Sequence, residues 1–125
     1  INVKTYMTEK QLFNGADFQV SGSIWIENSN SSERFLGKGR IQLLELIKEH
    51  GSISKAAKAM EMSYKRAWDL INSMNQQANQ PFVITQVGGK SGGGAMLTPE
   101  GEEAILFYKK VQERFRQFLT ALDNE

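Results

Sequence analysis

The stretch GSISKAAKAMEMSYKRAWDLINSMN, residues 51–75, decides the fold. Its second half carries apolar side chains at the spacing of a single helix face, at Ala67, Leu70, Ile71 and Met74. Ser63 comes just before this face, where its hydroxyl can cap the free N–H groups of a helix. The first half predicts a shorter helix, whose alanines allow a neighbouring helix to come close. The stretch therefore predicts a short helix, a turn and a longer helix packed against each other.

Three helices are expected over residues 39–77. The first covers 39–50 and ends before Gly51, because glycine readily adopts the left-handed backbone that ends a helix. His50 lies in its last turn, where a cationic imidazole suits the helix dipole, so we assign it no catalytic role. The second helix is predicted over 55–60.

Two alternatives remain open around the second and third helices. Either Ser52 or Ser54 can cap the second helix. The third helix is predicted from Ser63 to about residue 77, and its aromatic residues Tyr64 and Trp68 flank the apolar face one turn apart. We expect these two rings in the core, and a platform on which single-stranded bases stack is the alternative.

Two β-hairpins are predicted on either side of the helices. Apolar residues alternate with polar ones from residue 18, and a polar turn at 28–32 precedes a possible return strand, so the first hairpin is placed at 18–36. The second is placed at 82–97, where residues rich in β-formers enclose the glycine-rich tip GGKSGGG. The motif Gly89-Lys90-Ser91 inside this tip lacks the spacing and the following helix of a phosphate-binding P-loop.

A long final helix is predicted over 98–122, since Thr98 can cap it and Pro99 suits its first position. Its apolar residues repeat with spacings of 4, 3, 4, 3 and 4, and they are Ala104, Tyr108, Val111, Phe115, Phe118 and Leu122. A helix of this length is roughly 36 Å long, more than a small domain covers. We therefore expect these residues to form a homodimer interface. The alternative is that they pack on hairpin 18–36 of the same subunit.

Composition limits the classes of protein that fit. The chain has 125 residues, 40% apolar and 23% charged, which suits one globular domain over residues 1–125. It has no cysteine and one histidine, which argues against disulfides, thiolate metal sites and cysteine nucleophiles. No apolar run has the length of a membrane span, and the first ten residues do not resemble a signal peptide. We expect a cytoplasmic protein with no metal, no cofactor and no catalytic residues.

Positive charge is concentrated in the middle of the chain. Residues 36–97 carry eight basic and four acidic side chains, a net charge of +4, although the whole chain has a net charge of only +1. Residues 1–35 have a net charge of −1 and residues 98–125 have one of −2. The middle segment is therefore the expected contact surface for a polyanion.

The predicted order of elements is that of a winged helix-turn-helix, a mainly helical α+β fold with an N-terminal hairpin and a long C-terminal dimerisation helix. In such a fold the third helix enters the major groove of double-stranded DNA, and the wing contacts the backbone or minor groove. The residues expected to contact DNA are polar or basic and lie at the starts of the second and third helices, along the third helix or on the wing: Ser52, Ser54, Lys55, Ser63, Lys65, Arg66, Asn72 and Lys90.

The same residues carry a family resemblance. Residues 51–75 closely resemble the helix-turn-helix of the ModE family of molybdate-responsive bacterial transcription regulators, and GGKSGGGAMLTPEGE, residues 88–102, is similar to that family's wing and linker helix. The similarity covers about residues 18–120 and extends, more distantly, to the LysR family. It implies a DNA-binding homodimer with residues 63–66 facing the operator and Lys90 and Ser91 on the wing.

The molybdate sensor of full-length ModE proteins is a separate C-terminal region. We therefore expect no molybdate site in these 125 residues. The competing interpretation of the fold is a winged-helix module that binds protein and not DNA. Salt dependence separates the two, because only DNA binding releases condensed counterions from a duplex.

Overall fold

A computed structural model describes residues 19–86 and 94–123 of the chain. Within these ranges the elements are, in order, β1 (Ile26–Glu27), β2 (Arg34–Leu36), α1 (Lys38–His50), α2 (Ile53–Ala59), α3 (Tyr64–Gln77), β3 (Val83–Gln86), β4 (Gly94–Leu97) and α4 (Pro99–Asp123). β1 pairs with β2 and β3 pairs with β4, both antiparallel. This order confirms the expected mainly helical α+β winged helix-turn-helix, and every helix begins and ends within two residues of its predicted bounds.

α1 is the central helix, since it packs against α2, α3, α4 and β4. Its side chains Leu43, Leu44 and Ile47 are all 0% exposed. Burying an aliphatic side chain of this size contributes about 1.5–3 kcal/mol, so this face of α1 holds the other elements together. The helix ends at Gly51, whose φ of 64° is left-handed and whose N–H donates to the Ile47 carbonyl over 2.7 Å.

The turn between α2 and α3 sets the angle at which α3 leaves the core. Ala56 of α2 and Ala67 of α3 are both 0% exposed, so the two helices approach closely through small side chains. Glu61 in the turn has a φ of 55°, a left-handed conformation that a residue with a Cβ adopts at a cost of about 1–2 kcal/mol. The N–H of Met62 donates to the Ala57 carbonyl over 3.0 Å and closes the turn.

The base of the wing is attached to both α1 and α3. The N–H of Ala95 in β4 donates to the carbonyl of Gly51 over 3.0 Å. On the opposite strand, the Asn75 side chain of α3 donates to the Val83 carbonyl over 2.9 Å and accepts from the Phe82 N–H over 2.8 Å. The expected wing tip, including Lys90 and Ser91, lies outside the described residues.

The first hairpin is shorter than the predicted span of 18–36. Only β1 and β2 pair, and residues 19–25 lie along α4 instead. The Tyr108 hydroxyl donates to the Ile24 carbonyl over 2.9 Å, and the Val20 N–H donates to a carboxylate near the end of α4 over 2.8 Å. Because β2 has only three residues, it offers no partner to 19–25, and side chains of α4 bond to two backbone groups of this segment. Alternating apolar residues were therefore not enough to make a strand here.

α4 begins beside the base of the wing, and Thr98 both caps the helix and contacts that base. The Thr98 hydroxyl accepts from the Gly101 N–H over 3.0 Å and donates to the Pro81 carbonyl over 2.7 Å, which confirms Thr98 as the cap. A Cβ added at Gly101 would lie 2.5 Å from the Phe82 carbonyl oxygen, so only glycine allows this approach. Among the described residues, no helix combines the length and apolar character needed to cross a membrane.

We expect Gly101→Ala to lower the free energy of unfolding by about 1–3 kcal/mol, because the new methyl group must displace the backbone of the wing. The measurement is urea unfolding followed by circular dichroism. Gly39→Ala in α1 is the matched control, since a Cβ there meets no atom within 4 Å. This control should leave stability unchanged or raise it by up to about 1 kcal/mol. Equal effects of the two substitutions would contradict the close approach at Gly101.

Candidate nucleic-acid interface

One exposed face of α3 carries Lys65, Asp69, Asn72 and Gln76, which are spaced 4, 3 and 4 residues apart. The opposite side of the helix is anchored in the core by Ala67, Ile71 and Met74, each no more than 1% exposed. We call the exposed set the outward face of α3. It brings together two of the residues expected to contact DNA, Lys65 and Asn72, and holds them clear of the interior.

The aromatic residues of α3 do not lie in the core as expected. Tyr64 is 52% exposed and Trp68 is 38% exposed. Their position follows from the narrow buried stripe of α3, which the small residue Ala67 brings too close to α2 for large rings to enter. Both rings therefore add apolar surface beside the outward face.

The ammonium of Lys65 is paired with a carboxylate of its own helix. Its Nζ lies 3.0 Å from Oδ2 of Asp69, and the two side chains are 84% and 65% exposed. A pair this exposed contributes about 0.2–1 kcal/mol. It therefore holds Lys65 loosely and leaves it able to exchange Asp69 for an acceptor on another molecule.

Two serines cap helices, which settles the alternative left open for α2. The Ser52 hydroxyl accepts from the Lys55 N–H over 3.1 Å, whereas Ser54 is exposed and not at the cap. The Ser63 hydroxyl likewise accepts from the Arg66 N–H over 3.0 Å. Each hydroxyl keeps its own proton as a donor, because the cap uses only the oxygen as acceptor.

α2 presents a second basic position that the sequence analysis missed. Lys55 and Lys58 are both exposed and lie three residues apart, which places them on one side of the helix. The residue that sequence analysis missed is Lys58, and the signal that could have found it is its spacing of three residues from Lys55. α2 therefore offers two ammonium groups near the start of α3.

Arg66 lies on a different face of α3 from Lys65. It shares this face with Ser73 and Gln77, which are seven and eleven residues further on, and these two side chains hold the first hairpin. Gln77 Nε2 donates to the Arg34 carbonyl over 3.1 Å, and the Ser73 hydroxyl donates to a Glu33 carboxylate oxygen over 3.0 Å. The structure therefore separates Arg66 from the outward face, although the sequence analysis grouped it with Lys65.

Arg66 lines a cavity of about 200 Å³ together with Arg34 and Arg40. We call this cavity the arginine pocket. Burial lowers the pKa of the Arg40 guanidinium from its ordinary value, the carboxylate of Glu33 partly offsets this, and the charges of Arg34 and Arg66 add to the lowering. Sequence analysis missed Arg34 and Arg40 because they come from different elements and meet Arg66 only in the folded chain.

The apolar seam predicted on α4 faces its own subunit. Ala104 and Tyr108, expected at a dimer interface, are 7% and 2% exposed in the core of the subunit and are not free to meet a partner. Val111, Phe115 and Leu122 are half-buried, and the Phe115 ring lies against Gly22. The physical reason is that Ala104 and Tyr108 belong to the core of the subunit, and segment 19–25 contacts α4 further along.

Other apolar side chains of α4 remain exposed. Phe118, the fifth residue of the predicted seam, is 57% exposed, and Phe107 is 55% exposed. With Val111 they have spacings of four and seven residues, which places them on one stripe beside the covered seam. We call Phe107, Val111 and Phe118 the apolar stripe of α4.

Comparison with known families decides the identity of the domain. Residues 39–102 match the family described as "Bacterial regulatory helix-turn-helix protein, lysR family". The chain belongs to this lysR family. The match runs from the start of α1 through the wing into the first turn of α4, so it includes the outward face of α3 and both capping serines.

Three individual proteins similar to this chain support the resemblance to the ModE family. The chain is 41% identical over 87 residues to "Molybdenum transport protein ModE" of Azotobacter vinelandii, which covers 70% of this chain and 32% of that protein. It is 49% identical over 74 residues to "DNA-binding transcriptional dual regulator ModE" of Escherichia coli K12, with 59% and 28% covered. It is 41% identical over 109 residues to "Molybdenum-pterin-binding protein MopB" of Rhodobacter capsulatus, with 87% and 39% covered.

These matches confirm a ModE-family helix-turn-helix domain. The chain spans between 28% and 39% of the length of the three relatives.

The two serines at the start of α2 give a matched test of the cap. We expect Ser52→Ala to lower the free energy of unfolding by about 1 kcal/mol, because the Lys55 N–H loses its acceptor. Ser54→Ala should change it by less than about 0.5 kcal/mol. Both are measured by urea unfolding. A larger loss from Ser54→Ala than from Ser52→Ala would reverse the assignment of the cap.

Proposed function

We propose that this chain binds double-stranded DNA in a sequence-specific way as a transcriptional regulator of the ModE type. The observation that carries the proposal is the outward face of α3, which is exposed along its length while the other side of the helix is fixed in the core. An α-helix fits the major groove, where the edges of the base pairs present distinguishable donors and acceptors. Lys65 and Asn72 are the side chains placed to read them.

The backbone contacts in this proposal come from α2 and the wing. Lys55 and Lys58 approach phosphates on one side of the groove, and the N–H groups at the capped start of α2 add partial positive charge. Lys90 and Ser91 contribute from the wing. Since phosphate contacts fix position and base contacts fix sequence, Lys65 and Asn72 carry the specificity.

The link to molybdenum comes from the names of the relatives, of which this chain spans about a third. We infer that the DNA sites it recognises control molybdenum-related genes. We assign no molybdate site and no catalytic role to these residues. A bacterial protein that binds chromosomal DNA acts in the cytoplasm.

A homodimer completes the proposal. The apolar stripe of α4 leaves two phenylalanine rings more than half exposed, and a second copy of the chain would cover them. Dimers of helix-turn-helix proteins read two half-sites related by two-fold symmetry. The stripe keeps Val111 and Phe118 of the predicted seam, whereas segment 19–25 contacts Tyr108 and Phe115.

The salt dependence of duplex binding tests the proposed function. A dimer with about six to eight phosphate contacts should lose affinity as salt rises, with a slope of log K against log salt of roughly −5 to −7. The measurement is fluorescence anisotropy with a duplex selected from a random pool. A slope near zero with every duplex would favour the protein-binding module instead.

Asp69→Asn should tighten binding to any duplex by about 1.5- to 5-fold, because Lys65 no longer has a competing carboxylate. The comparison uses the same anisotropy assay at fixed salt. Glu45→Gln is the matched control, since it removes the same charge from an ion pair with Lys109 between α1 and α4. Binding that is unchanged by Asp69→Asn, or tightened equally by Glu45→Gln, would remove Lys65 from the DNA contact.

Phe118→Glu should convert the dimer to monomers, because a carboxylate would be buried without a partner in the interface. Light scattering should report half the mass. Gln117→Glu is the control, since it adds the same charge at the neighbouring exposed position, off the stripe. If Phe118→Glu and Phe107→Glu both leave the dimer intact, the interface lies elsewhere.

A further inference from the structure

The arginine pocket has charges that the fold leaves without partners. Arg34, Arg40 and Arg66 surround it, and none of them lies within 4.0 Å of an acidic group among the described residues. The carboxylate that influences Arg40 is that of Glu33, which is engaged by the Ser73 hydroxyl over 3.0 Å. Three positive charges therefore face one negative charge.

The guanidinium groups of Arg40 and Arg34 are held in place by the fold, and N–H donors of both remain available. Nη1 of Arg40 donates to the Ser73 hydroxyl oxygen over 2.9 Å and to the Phe35 carbonyl over 3.4 Å, and its other N–H groups make no hydrogen bond to a described residue. The guanidinium of Arg34 lies over the Trp25 ring, 4.6 Å from its centroid. Both side chains are thus oriented by the fold while their remaining donors stay available.

Arg66 has no structural role that accounts for its position. Its side chain makes no hydrogen bond or ion pair with a described residue, yet it lies beside two other guanidinium groups. Like charges brought together without a counterion are destabilising. Arrangements of this kind are typical of sites that bind an anion.

The backbone beside the pocket adds to this effect. Gly37 and Gly39 line the pocket, so no Cβ of theirs separates it from the first turn of α1. The N-cap Gly37 offers no side-chain hydrogen bond and the first turn has no acidic residue, which leaves its N–H groups without a side-chain acceptor. These N–H groups and the helix dipole favour an anion at the same place.

We propose that the arginine pocket binds a tetrahedral oxyanion of the phosphate class. Arg34, Arg40 and Arg66 donate to its oxygens, since a guanidinium presents paired N–H groups that match two oxygens at once. The volume of about 200 Å³ equals several water-sized volumes of ~30 Å³ and admits such an ion with part of its hydration. The oxyanion is either free in solution or a backbone phosphate of a duplex. The second source rests on the proposed function and extends the DNA contact toward the first hairpin.

The test begins with the chain alone. Inorganic phosphate is titrated into the chain, and sodium chloride is lowered in step to keep the ionic strength constant. The backbone amides of Gly39 and Arg40 are followed by NMR. We expect saturable shifts of these two amides. The proposal would be overturned if the shifts did not saturate. It would also be overturned if the backbone amides of Lys55 and Lys58 shifted as much as those of Gly39 and Arg40.

Gly39→Asp introduces a carboxylate into the pocket, where a Cβ meets no atom within 4 Å. It should weaken phosphate binding by about tenfold or more, because the new charge occupies the same donors. Gly39→Asn is the matched control of the same size without charge and should change the affinity by less than about threefold. Equal affinities of the Asp and Asn variants would contradict the proposal.

Arg66→Gln gives an independent check that does not depend on α1. It should also weaken phosphate binding about tenfold, whereas Lys110→Gln removes the same charge from an exposed position of α4, outside the pocket, and should leave binding unchanged. Thermal unfolding confirms that each variant is folded. Equal effects of the two substitutions would show only general attraction to positive charge and would overturn the pocket.

Addition of a duplex in phosphate-free buffer identifies the source. If a backbone phosphate occupies the pocket, the duplex shifts the same two amides and inorganic phosphate no longer binds to the complex. If the oxyanion is a free one, the duplex leaves these amides unchanged and phosphate binds as before. Either result supports the pocket. A chain that binds phosphate but no duplex would contradict only the proposed function, and one that binds a duplex but no phosphate, with both amides unshifted, would contradict only the pocket.

Discussion

The buried aliphatic face of α1 is the constraint on which the rest of the structure depends. Leu43, Leu44 and Ile47 are completely buried, and α2, α3, α4 and β4 all pack around the helix that carries them. α3 is held in the core by one stripe of small and aliphatic side chains, and Ser73, Asn75 and Gln77 attach it to the first hairpin and the wing. Its outward face remains exposed, which is what a helix that enters a groove needs. The wing follows from the same packing, since β4 is attached to the end of α1 at Gly51.

The free circumference of α3 is divided into two regions of different chemistry. On the outward face, the positive charge of Lys65 is balanced by Asp69, so in the proposed DNA contact hydrogen bonds, more than net charge, would decide which sequence this face recognises. On the other side, Arg66 lies in a concentration of positive charge with Arg34 and Arg40. Such a charge raises affinity for any polyanion without regard to sequence. In the proposed DNA complex, selectivity and general attraction would thus come from different sides of one helix.

The helices were predictable from sequence because their signals are local. The spacing of apolar residues and the caps Ser63 and Thr98 lie within a few residues of what they determine, and the helix bounds agree within two residues. Segment 19–25 and the arginine pocket were not predictable, since both depend on contacts between distant parts of the chain. Arg34 and Arg66 are 32 residues apart in sequence yet share a cavity. Likewise, the spacing on α4 identified an apolar face but could not show that the same subunit covers it.

This coverage of α4 changes the geometry that a dimer can adopt. Tyr108 is fixed by its hydrogen bond to the Ile24 carbonyl, so segment 19–25 is part of the subunit and not a loose cover that a partner displaces. In the proposed dimer, the second copy would approach along the apolar stripe that begins at Phe107 and ends at Phe118. α4 starts at the base of the wing. The side of α4 that forms the dimer contact would therefore also set the orientation of α3 in one subunit relative to α3 in the other. Half-sites on DNA are about 34–36 Å apart, so in the proposed dimer the position of segment 19–25 would help to determine which spacing of half-sites is read.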